Sequence, residues 1–433
     1  MRRVYPGPDW QTQVVAAPER ALGLLRRRDF RRVYFAIAAS ELGDAFQYVA
    51  LMWFALVSGG PLGVMAVRLA DSVPALAFGF HGGVAADRWD RKRTMVAADL
   101  LRGSILIPIA VLGLTGELPL WVLVVAAFAL TAATSYFAPA YGALLPGLVD
   151  RQNVQKANGI VRATTEALSV GGWAAAAGLL AFMPISGFFA INAASFFLSA
   201  ALLAGVHARR SGPLHAAAPR IREGFAALRP LPMLAAGVIA IGVAVTISSG
   251  TWIVGVPTLV RDTLHRGAGS FSLVAASYAL GSVIAGVVLT RWEVRRKALG
   301  SLAAWSLYLP AYALFAFAGS LGMVLGGAVL AGLAQGSAWV LVNSAAQEQV
   351  PDHLLGRVMG LISLTHRGAH ATGLLFVSPL FAILAPGTVF AAAALALPLV
   401  GLLGAAVGLR RERELSPPAG EAPAPATARS PRS

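Results

Sequence analysis

The feature that most constrains the fold is a series of apolar runs that recur along most of the chain, separated by short polar connections. We count twelve runs of the length that a helix needs to cross a hydrocarbon core about 30 Å thick. Within a bilayer a backbone must satisfy its own hydrogen bonds, so each run is predicted to be an α-helix. The sequence therefore predicts an all-α integral membrane protein. The runs cover residues 33–57, 62–86, 94–115, 119–141, 158–181, 184–206, 233–259, 269–290, 298–318, 321–345, 356–384 and 387–409.

Composition excludes several other classes of protein. Hydrophobic residues make up 57% of the 433 residues and charged residues only 13%, whereas charged residues reach about a quarter in soluble domains. The net charge of +15 does not indicate nucleic-acid binding, because the cations follow the connections between runs instead of lining one face. The chain has no cysteine, and it has no Gly-x-x-x-x-Gly-Lys-Ser/Thr loop for a nucleotide. We therefore expect no enzymatic activity, no cofactor and no metal.

The distribution of Lys and Arg predicts the topology. Of 35 such residues, only Arg261 and Arg266 fall in a connection that we assign to the outside. Cations beside membrane helices are retained in the cytoplasm, so both termini are predicted to be cytoplasmic, in a protein of the cell membrane. The predicted order is a cytoplasmic segment (1–32), a six-helix bundle (33–206), a cytoplasmic linker with a surface helix (207–232), a second six-helix bundle (233–409) and a disordered cytoplasmic tail (410–433).

A short basic loop joins the second and third runs. Its acid, Asp87, lies where an apolar run meets water, and four cations occupy the next six positions. Any protein with many spans needs such loops for its topology, so the loop alone leaves a purely topogenic role open. If the loop is also a gate at the cytoplasmic side, its residues are Gly83, Asp87, Arg88, Arg91, Lys92 and Arg93.

The basic loop is repeated in the second part of the chain. The segment from Gly286 to Lys297 matches the first loop through its glycine, its Arg-Trp pair, the acid that follows this pair and its cations, although Thr290 replaces Asp87. A second match at nearly the same offset relates residues 149–151 to residues 350–352. Two matches at one offset predict a duplicated half, which is how many transporters are built. The two bundles are therefore predicted to be pseudo-symmetric but not equivalent, because the second loop lacks the acid that corresponds to Asp87.

These segments resemble the signature loops of the major facilitator superfamily of secondary transporters, and more narrowly its bacterial multidrug, macrolide and siderophore exporters. The resemblance covers residues 20–410, and it implies two bundles that rock about a central cavity. It also implies that Asp87 holds the two halves together when that cavity opens outward. Two positions depart from the family pattern, Asp90 in place of glycine and Gly171-Gly172-Trp173 without the proline of the exporters. The matching segments are residues 83–93, 97–102, 145–149, 222–224 and 350–359.

Charged residues inside the runs are the strongest candidates for function, because charges in lipid are costly and normally face protein or water. Glu41 and Asp44 are three residues apart in the first run and Tyr48 follows four later, so all three are expected on one helical face near mid-membrane. A carboxyl group that alternates between dry and wet surroundings changes its affinity for a proton, as coupling requires. Alternatively, each acid is held by a serine, a backbone group or an arginine of a neighbouring helix and only supports packing.

Other charges inside the runs can neutralise each other within one helix, and we expect them to be buried structural support. The resemblance implies that the third span stays outside the cavity, so its pair is expected to brace the basic loop. His366 and His370 share a face beside Arg367, and without further ligands they predict a protonatable lining and no metal site. The three pairs are Arg68 with Asp71, Asp99 with Arg102, and Arg162 with Glu166.

In the family that the chain resembles, the first, fourth, seventh and tenth spans line the cavity. Aromatic and amide side chains on those spans suit a flat amphipathic ligand through stacking and hydrogen bonding, although aromatic residues also pack helices together. The substrate candidates are Tyr48, Tyr136, Trp252, Gln335, Trp339 and Asn343.

The sequence thus predicts a secondary transporter that uses a proton gradient to export amphipathic drug-like or siderophore-like molecules by alternating access. Its expected partners are the lipid bilayer, a small-molecule substrate and the proton gradient, and we expect a monomer. Two alternatives stay open, an importer of a small solute and a non-transporting membrane sensor or accessory subunit of the same fold. Carboxylates within the first run favour a transporter over a sensor, because a sensor has no need of them in hydrocarbon.

Overall fold

The computed structural model describes residues 21–150, 153–207, 221–292 and 294–415, and in these ranges it is helical without strands. The tail predicted to be disordered (410–433) is helical over residues 410–415, because the last helix continues to Leu415 with Arg410 bonded to Glu414 one turn later. The rest of this tail and most of the central linker lie outside the described residues. The described part of the chain begins with a short 3-10 helix, Ala21–Arg26, followed directly by the first long helix.

We number the α-helices in chain order. In the first part of the chain they are α1 (Arg28–Arg88), α2 (Arg91–Thr115), α3 (Leu120–Leu144), α4 (Val154–Leu179) and α5 (Gly187–Ala204). A short helix, α6 (Ile221–Leu228), precedes the second part. There they are α7 (Pro232–Thr263), α8 (Ala268–Arg291), α9 (Lys297–Ala316), α10 (Leu321–Gln349), α11 (Asp352–Phe376) and α12 (Pro386–Leu415).

The first two predicted runs form the two arms of α1. Gly60 interrupts the helix with φ 60° and ψ −156°, a conformation open to glycine because it has no Cβ. Gly63 then lies against the backbone carbonyl of Ala55, so the second arm runs back along the first. Each of the other predicted runs overlaps one of the long helices, but the run 356–384 extends past the end of α11 at Phe376 into a separate short helix, Leu380–Ile383.

Among the described residues, nine helices are long and apolar enough to cross a membrane, with α1 counted once. The long helices α4 and α11 are not among the nine. Both carry charged or titratable side chains in their middle, Arg162 and Glu166 in α4 and His366 to His370 in α11. Polar faces on helices of this length indicate surfaces that face protein or water instead of lipid. The chain is a multi-pass membrane protein.

Helices α1 to α5 pack mainly on one another, and so do α7 to α12. The two sets meet through α4 with α8 and through α1. Their contacts lie near the Gly60 break, which we call the Gly60 end: Ser272 donates a hydrogen bond to the carbonyl of Trp173, and Arg261 donates one to that of Leu56.

The opposite end holds the basic loop, and we call it the basic end. There, every ion pair whose two side chains are both described joins residues of one set. Arg27 pairs with Asp150 in the first set, and Lys297 pairs with Glu348 in the second. The two sets are therefore held together at the Gly60 end.

Candidate functional site

The two acids of the first run bind different neighbours. Glu41 accepts a hydrogen bond from Ser169 Oγ of α4 at 2.6 Å, and Asp44 accepts one from Asn192 Nδ2 of α5 at 3.0 Å. Glu41 is partly buried, whereas the Asp44 side chain is exposed, although it lies midway along the first arm of α1. The two acids, which we predicted on one face of the first run, thus contact two different helices, α4 and α5. Asp44 keeps an accessible carboxylate.

Asn192 is a functional candidate that the sequence reasoning missed. It is fully buried, and besides Asp44 its amide reaches Gln47 Oε1 at 2.5 Å and accepts a hydrogen bond from Ser195 Oγ at 2.8 Å. Gly43 makes this approach feasible, since a Cβ there would collide with Asn192 Oδ1 and Ser195 Oγ. The sequence did contain a signal for Asn192, because an asparagine in the middle of an apolar run is costly in lipid unless its amide has a hydrogen-bond partner.

Tyr48 lies where the two sets of helices meet. Its ring centroid is 5.5 Å from that of Trp173 on α4 and 6.2 Å from that of Phe271 on α8. Gly172, in the segment without the exporters' proline, brings α4 close to α1, because a Cβ there would lie 2.6 Å from Ala45 Cβ. Tyr48 therefore belongs to an aromatic contact that closes the Gly60 end.

A polar cavity of about 310 Å³ separates α1 from α11, and we call it the α1–α11 cavity. On its α1 side, Arg68 Nη1 lies 2.5 Å from Asp71 Oδ2, and Thr131 Oγ1 of α3 donates to the other carboxylate oxygen at 3.2 Å. The sequence predicted this ion pair but gave no indication that it faces the second part of the chain. The cavity is lined by Arg68, Asp71, Ser72, Ala75, Thr131, His366, Arg367, His370 and Ala371.

The other side of the α1–α11 cavity carries the two histidines of α11. Their ring centroids are 5.8 Å apart, and the ring of His366 lies 4.9 Å from that of Trp339 on α10. The predicted protonatable lining therefore meets the predicted aromatic face. Protonation of an imidazole here would add positive charge beside two arginines and one carboxylate.

The remaining substrate candidates of the second set are all partly buried and differ in their contacts. Gln335 accepts a hydrogen bond from Tyr308 at 3.3 Å, and Asn343 donates to the carbonyl of Trp339 at 2.7 Å on its own helix. Trp252 packs with its ring centroid 4.1 Å from that of Tyr278, in a cluster of aromatic residues. Trp252 therefore fits the alternative role that we gave for the aromatic candidates, which is to pack helices together.

Tyr136 lies apart from the other substrate candidates. Its ring stacks on that of Trp89, with centroids 5.8 Å apart and an interplanar angle of 10°. Both line a groove of about 540 Å³ whose described lining comes from the basic loop and from α2 and α3, without a residue of the second part. Tyr136 is on a span that was predicted to line the cavity, but it does not join the other substrate candidates, because it lies near the basic end of α3 and faces the loop.

The Asp99–Arg102 pair is buried, as predicted, with side chains 0% and 5% exposed. Ser199 Oγ of α5 donates to Asp99 Oδ2 at 2.6 Å. The Arg102 guanidinium lies 4.6 Å from the ring centroid of Phe137 on α3 and 4.2 Å from that of Phe196 on α5. The pair thus fastens three helices of the first set.

Burial was predicted wrongly for the third pair. Arg162 and Glu166 do form an ion pair at 2.6 Å, but their side chains are 75% and 57% exposed. The pair lies on a face of α4 that stays accessible. The i,i+4 spacing correctly indicated that the two residues can meet, but it holds no information on what covers them.

The basic loop is a helix junction. Asp90, which stands where the family has glycine, has φ −67° and caps α2 by accepting a hydrogen bond from Arg93 N at 2.9 Å. No glycine-specific conformation is needed there. Arg91 donates to the carbonyl of Ala143 at 3.0 Å and Lys92 to that of Val206 at 2.9 Å, near the ends of α3 and α5 where cations are favoured. Asp87 lies in the last turn of α1, and its side chain is outside what the structure describes.

A family model, Major Facilitator Superfamily, matches residues 33–374 and 238–432. The chain is 27% identical to the multidrug efflux pump Tap of Mycobacterium bovis over 412 residues, 89% of this chain and 95% of that protein. It is 24% identical to macrolide efflux protein A of Streptococcus pyogenes over 270 residues, 60% of this chain and 65% of the relative. It is 27% identical over 184 residues to YkuC of Bacillus subtilis, an uncharacterized MFS-type transporter, covering 42% of each chain. The latter two matches thus cover less than two thirds of the relative.

The fold is similar to that of solved transporters. A POT family transporter in complex with 5-aminolevulinic acid superimposes with a TM-score of 0.69, 12% identity and coverage of 89% of this chain and 96% of that one. A bacterial homologue of the iron transporter ferroportin, in an inward-facing state, gives a TM-score of 0.65 at 18% identity over 87% of this chain and 98% of that one. At these identities the likeness describes the fold alone.

Proposed function

Because the chain belongs to the major facilitator superfamily, we propose that it is a proton-coupled secondary transporter that exports amphipathic, drug-like or siderophore-like molecules by alternating access. One observation carries this proposal. The contact between the two sets of helices contains titratable side chains from both sets, in the α1–α11 cavity, while Asp44 keeps an accessible carboxylate midway along the first arm of α1. The export direction is supported by the multidrug and macrolide efflux relatives.

The proposed architecture has twelve spans in two pseudo-symmetric bundles of six, covering residues 33–206 and 233–409. The two arms of α1, together with α4 and α11, complete the count. Its symmetry is supported by the two related loops. Trp89 and Trp292 both end a helix in extended conformation, and their N–H groups donate to the carbonyls of Ala85 and Val288 at 2.7 and 3.0 Å.

We propose that the structure represents the inward-open state of the transporter. We assign the basic end to the cytoplasm because Lys and Arg concentrate there, with both termini on the same side. The contacts at the Gly60 end then form the closed outer gate, and Tyr48 is part of it. In the outward-open state the bundles must approach at the basic end, where Asp87 and the cations of the basic loop are our candidates for the inner gate.

The proposed coupling residues are Asp44 and Glu41. A carboxylate beside a cavity that is wet in one state and dry in the other binds a proton with different affinity in the two states. Linkage then requires that protonation favours one of those states. In the state described, Ser169 and Asn192 donate hydrogen bonds to these two carboxyl groups.

For the substrate, we propose the polar and aromatic face of α10 as the main contact. Trp339 offers a surface for stacking, and Gln335 and Asn343 lie four residues to either side of it. Such a face favours a flat amphipathic molecule over a sugar or a simple ion.

The test is transport by the purified chain in proteoliposomes with an imposed pH gradient, across a panel of fluorescent dyes, macrolides and siderophores. Export predicts that the gradient drives at least one compound in the direction opposite to proton flow, and that a protonophore abolishes this movement. Movement of a compound together with protons would establish an importer instead. Failure across the whole panel, with the protein intact in the membrane, would favour the sensor alternative.

A further inference from the structure

The surface of the second set of helices carries a continuous groove between α7 and α12. It consists of two cavities, of about 320 and 270 Å³, and Ile239 lines both of them. The larger one reaches the basic end, where α6 and the last turn of α12 border it. We call the whole feature the α7–α12 groove.

The polarity of the α7–α12 groove changes along its length. At the basic end its rim includes Arg229 and Arg411. Deeper, every lining residue is aliphatic or glycine: Ala236, Ile239, Ala240, Val243, Val400, Leu403, Gly404 and Val407. This gradient from cationic to apolar matches an amphiphile with an anionic head and a hydrocarbon chain.

The cations at the rim are available to a ligand. Arg229 and Arg411 are both exposed, and neither forms an ion pair with another residue in the described ranges. Among the described residues that line the rim, the one acid is Glu414, and it already accepts a hydrogen bond from Arg410 Nε at 3.0 Å. The described side chains at the mouth of the groove therefore carry a net positive charge.

The apolar part of the groove opens outward, away from the contact between the two sets of helices. Ile239 is 67% exposed and Leu403 57% exposed, which in a membrane protein means contact with lipid. Small residues form the floor, since a Cβ at Gly404 would lie 2.7 Å from Leu302 and 3.6 Å from Ala240. From Ala236 to Val243 the groove follows about 10 Å of helix, most of one leaflet's hydrocarbon depth.

We propose that the α7–α12 groove is a binding site for one anionic phospholipid of the leaflet at the basic end. The phosphate lies between Arg229 and Arg411, where each guanidinium donates charge-assisted hydrogen bonds to it. One acyl chain fills the apolar groove. The lipid thereby joins α6 to α12, and α6 is itself tied to α11 through the ion pair of Glu223 with Arg357.

The site is tested by native mass spectrometry of the full-length chain, titrated with phosphatidylglycerol and, separately, with phosphatidylcholine of the same acyl chains. We expect one phosphatidylglycerol to bind at least tenfold more tightly than phosphatidylcholine. In R229A/R411A this preference should disappear. The matched control is R291A/R295A, which removes two exposed cations at the basic end outside the groove and should keep the preference.

A second variant separates a lipid from a simple anion. V407W adds bulk at a position that is 51% exposed, so it should fold normally and obstruct the apolar groove while leaving both arginines in place. Phosphatidylglycerol binding should fall, and inorganic phosphate at the same concentration should not compete in the wild type. Equal competition by phosphate would overturn the lipid assignment. So would phosphatidylglycerol binding that appears only after residues 416–433 are removed, since the tail would then be the occupant.

Discussion

Two ion pairs of the first set have the same spacing and differ in what surrounds them. Asp99 and Arg102 are three residues apart on α2, and Arg68 and Asp71 are three apart on α1. The first pair is 0% and 5% exposed, enclosed by two aromatic rings and Ser199. The second is 26% and 18% exposed and faces histidines of the other set across a cavity. Spacing therefore determines whether two charges can pair, whereas the surroundings determine whether the pair can take part in a movement.

The largest effect is expected from R102A. Removing one partner of a buried pair leaves an uncompensated carboxylate, which costs about 3–5 kcal/mol. We therefore expect a large loss of thermal stability. It can be measured as thermal unfolding in detergent with a fluorescent dye that does not react with thiols, because the chain has no cysteine. R162A is the matched control, because its pair is exposed and contributes less than about 1 kcal/mol. Equal destabilisation by the two variants would show that enclosure of the Asp99–Arg102 pair is not what stabilises α2.

The second effect should appear in transport and not in stability. D71N and R68A change a pair that lies between the two sets of helices, so they should shift the balance between inward-open and outward-open states. We expect at least a tenfold lower transport rate, with an unfolding temperature within a few degrees of the wild type. A transport rate equal to that of the wild type in both variants would reduce the Arg68–Asp71 pair to structural support, like the pair on α2.

The smallest effect is expected at Asp150, which belongs to a third, exposed ion pair at the basic end. The hydrogen bond from Arg27, together with its positive charge, holds the pKa of Asp150 below its ordinary value of 3.8. A lowered pKa in the folded state means that the pair stabilises the fold above pH 3.8 and loses this contribution as the pH falls through the lowered value.

The measurement is the difference in unfolding temperature between wild type and D150N as a function of pH. This small difference should be constant near neutral pH and should shrink below pH 3.8. A difference that grows at acidic pH would have the wrong sign for a carboxylate stabilised by Arg27.

Hydrophobicity alone predicted where the helices lie, because a span must be long, apolar and internally hydrogen-bonded. It could not predict which polar groups from separate runs would meet. Asp71 and His370 are far apart in sequence and border one cavity, whereas Tyr136 faces the basic loop instead of the other substrate candidates. Such contacts depend on how each helix is rotated about its axis. The rotation is set by close approaches, such as Gly43 against Asn192, that no single run encodes.

The contrast between the two pairs also bears on Asp44, whose surroundings resemble the second pair more than the first. It has one hydrogen-bond donor, Asn192, and an exposed carboxylate, whereas Asp99 is fully enclosed. We therefore propose Asp44, and not Asp99, as the acid that exchanges a proton during the transport cycle.

Proton coupling through the acids of α1 is tested by comparing D44N with E41Q in proteoliposomes, using a compound that the wild type transports. Exchange of labelled for unlabelled compound reports binding and movement, and accumulation driven by a pH gradient reports coupling. We predict that D44N keeps exchange and loses both accumulation and its pH dependence, because asparagine cannot bind or release a proton. If D44N and E41Q both retain pH-driven accumulation, the proton does not travel through the acids of α1 and the proposed coupling mechanism is wrong.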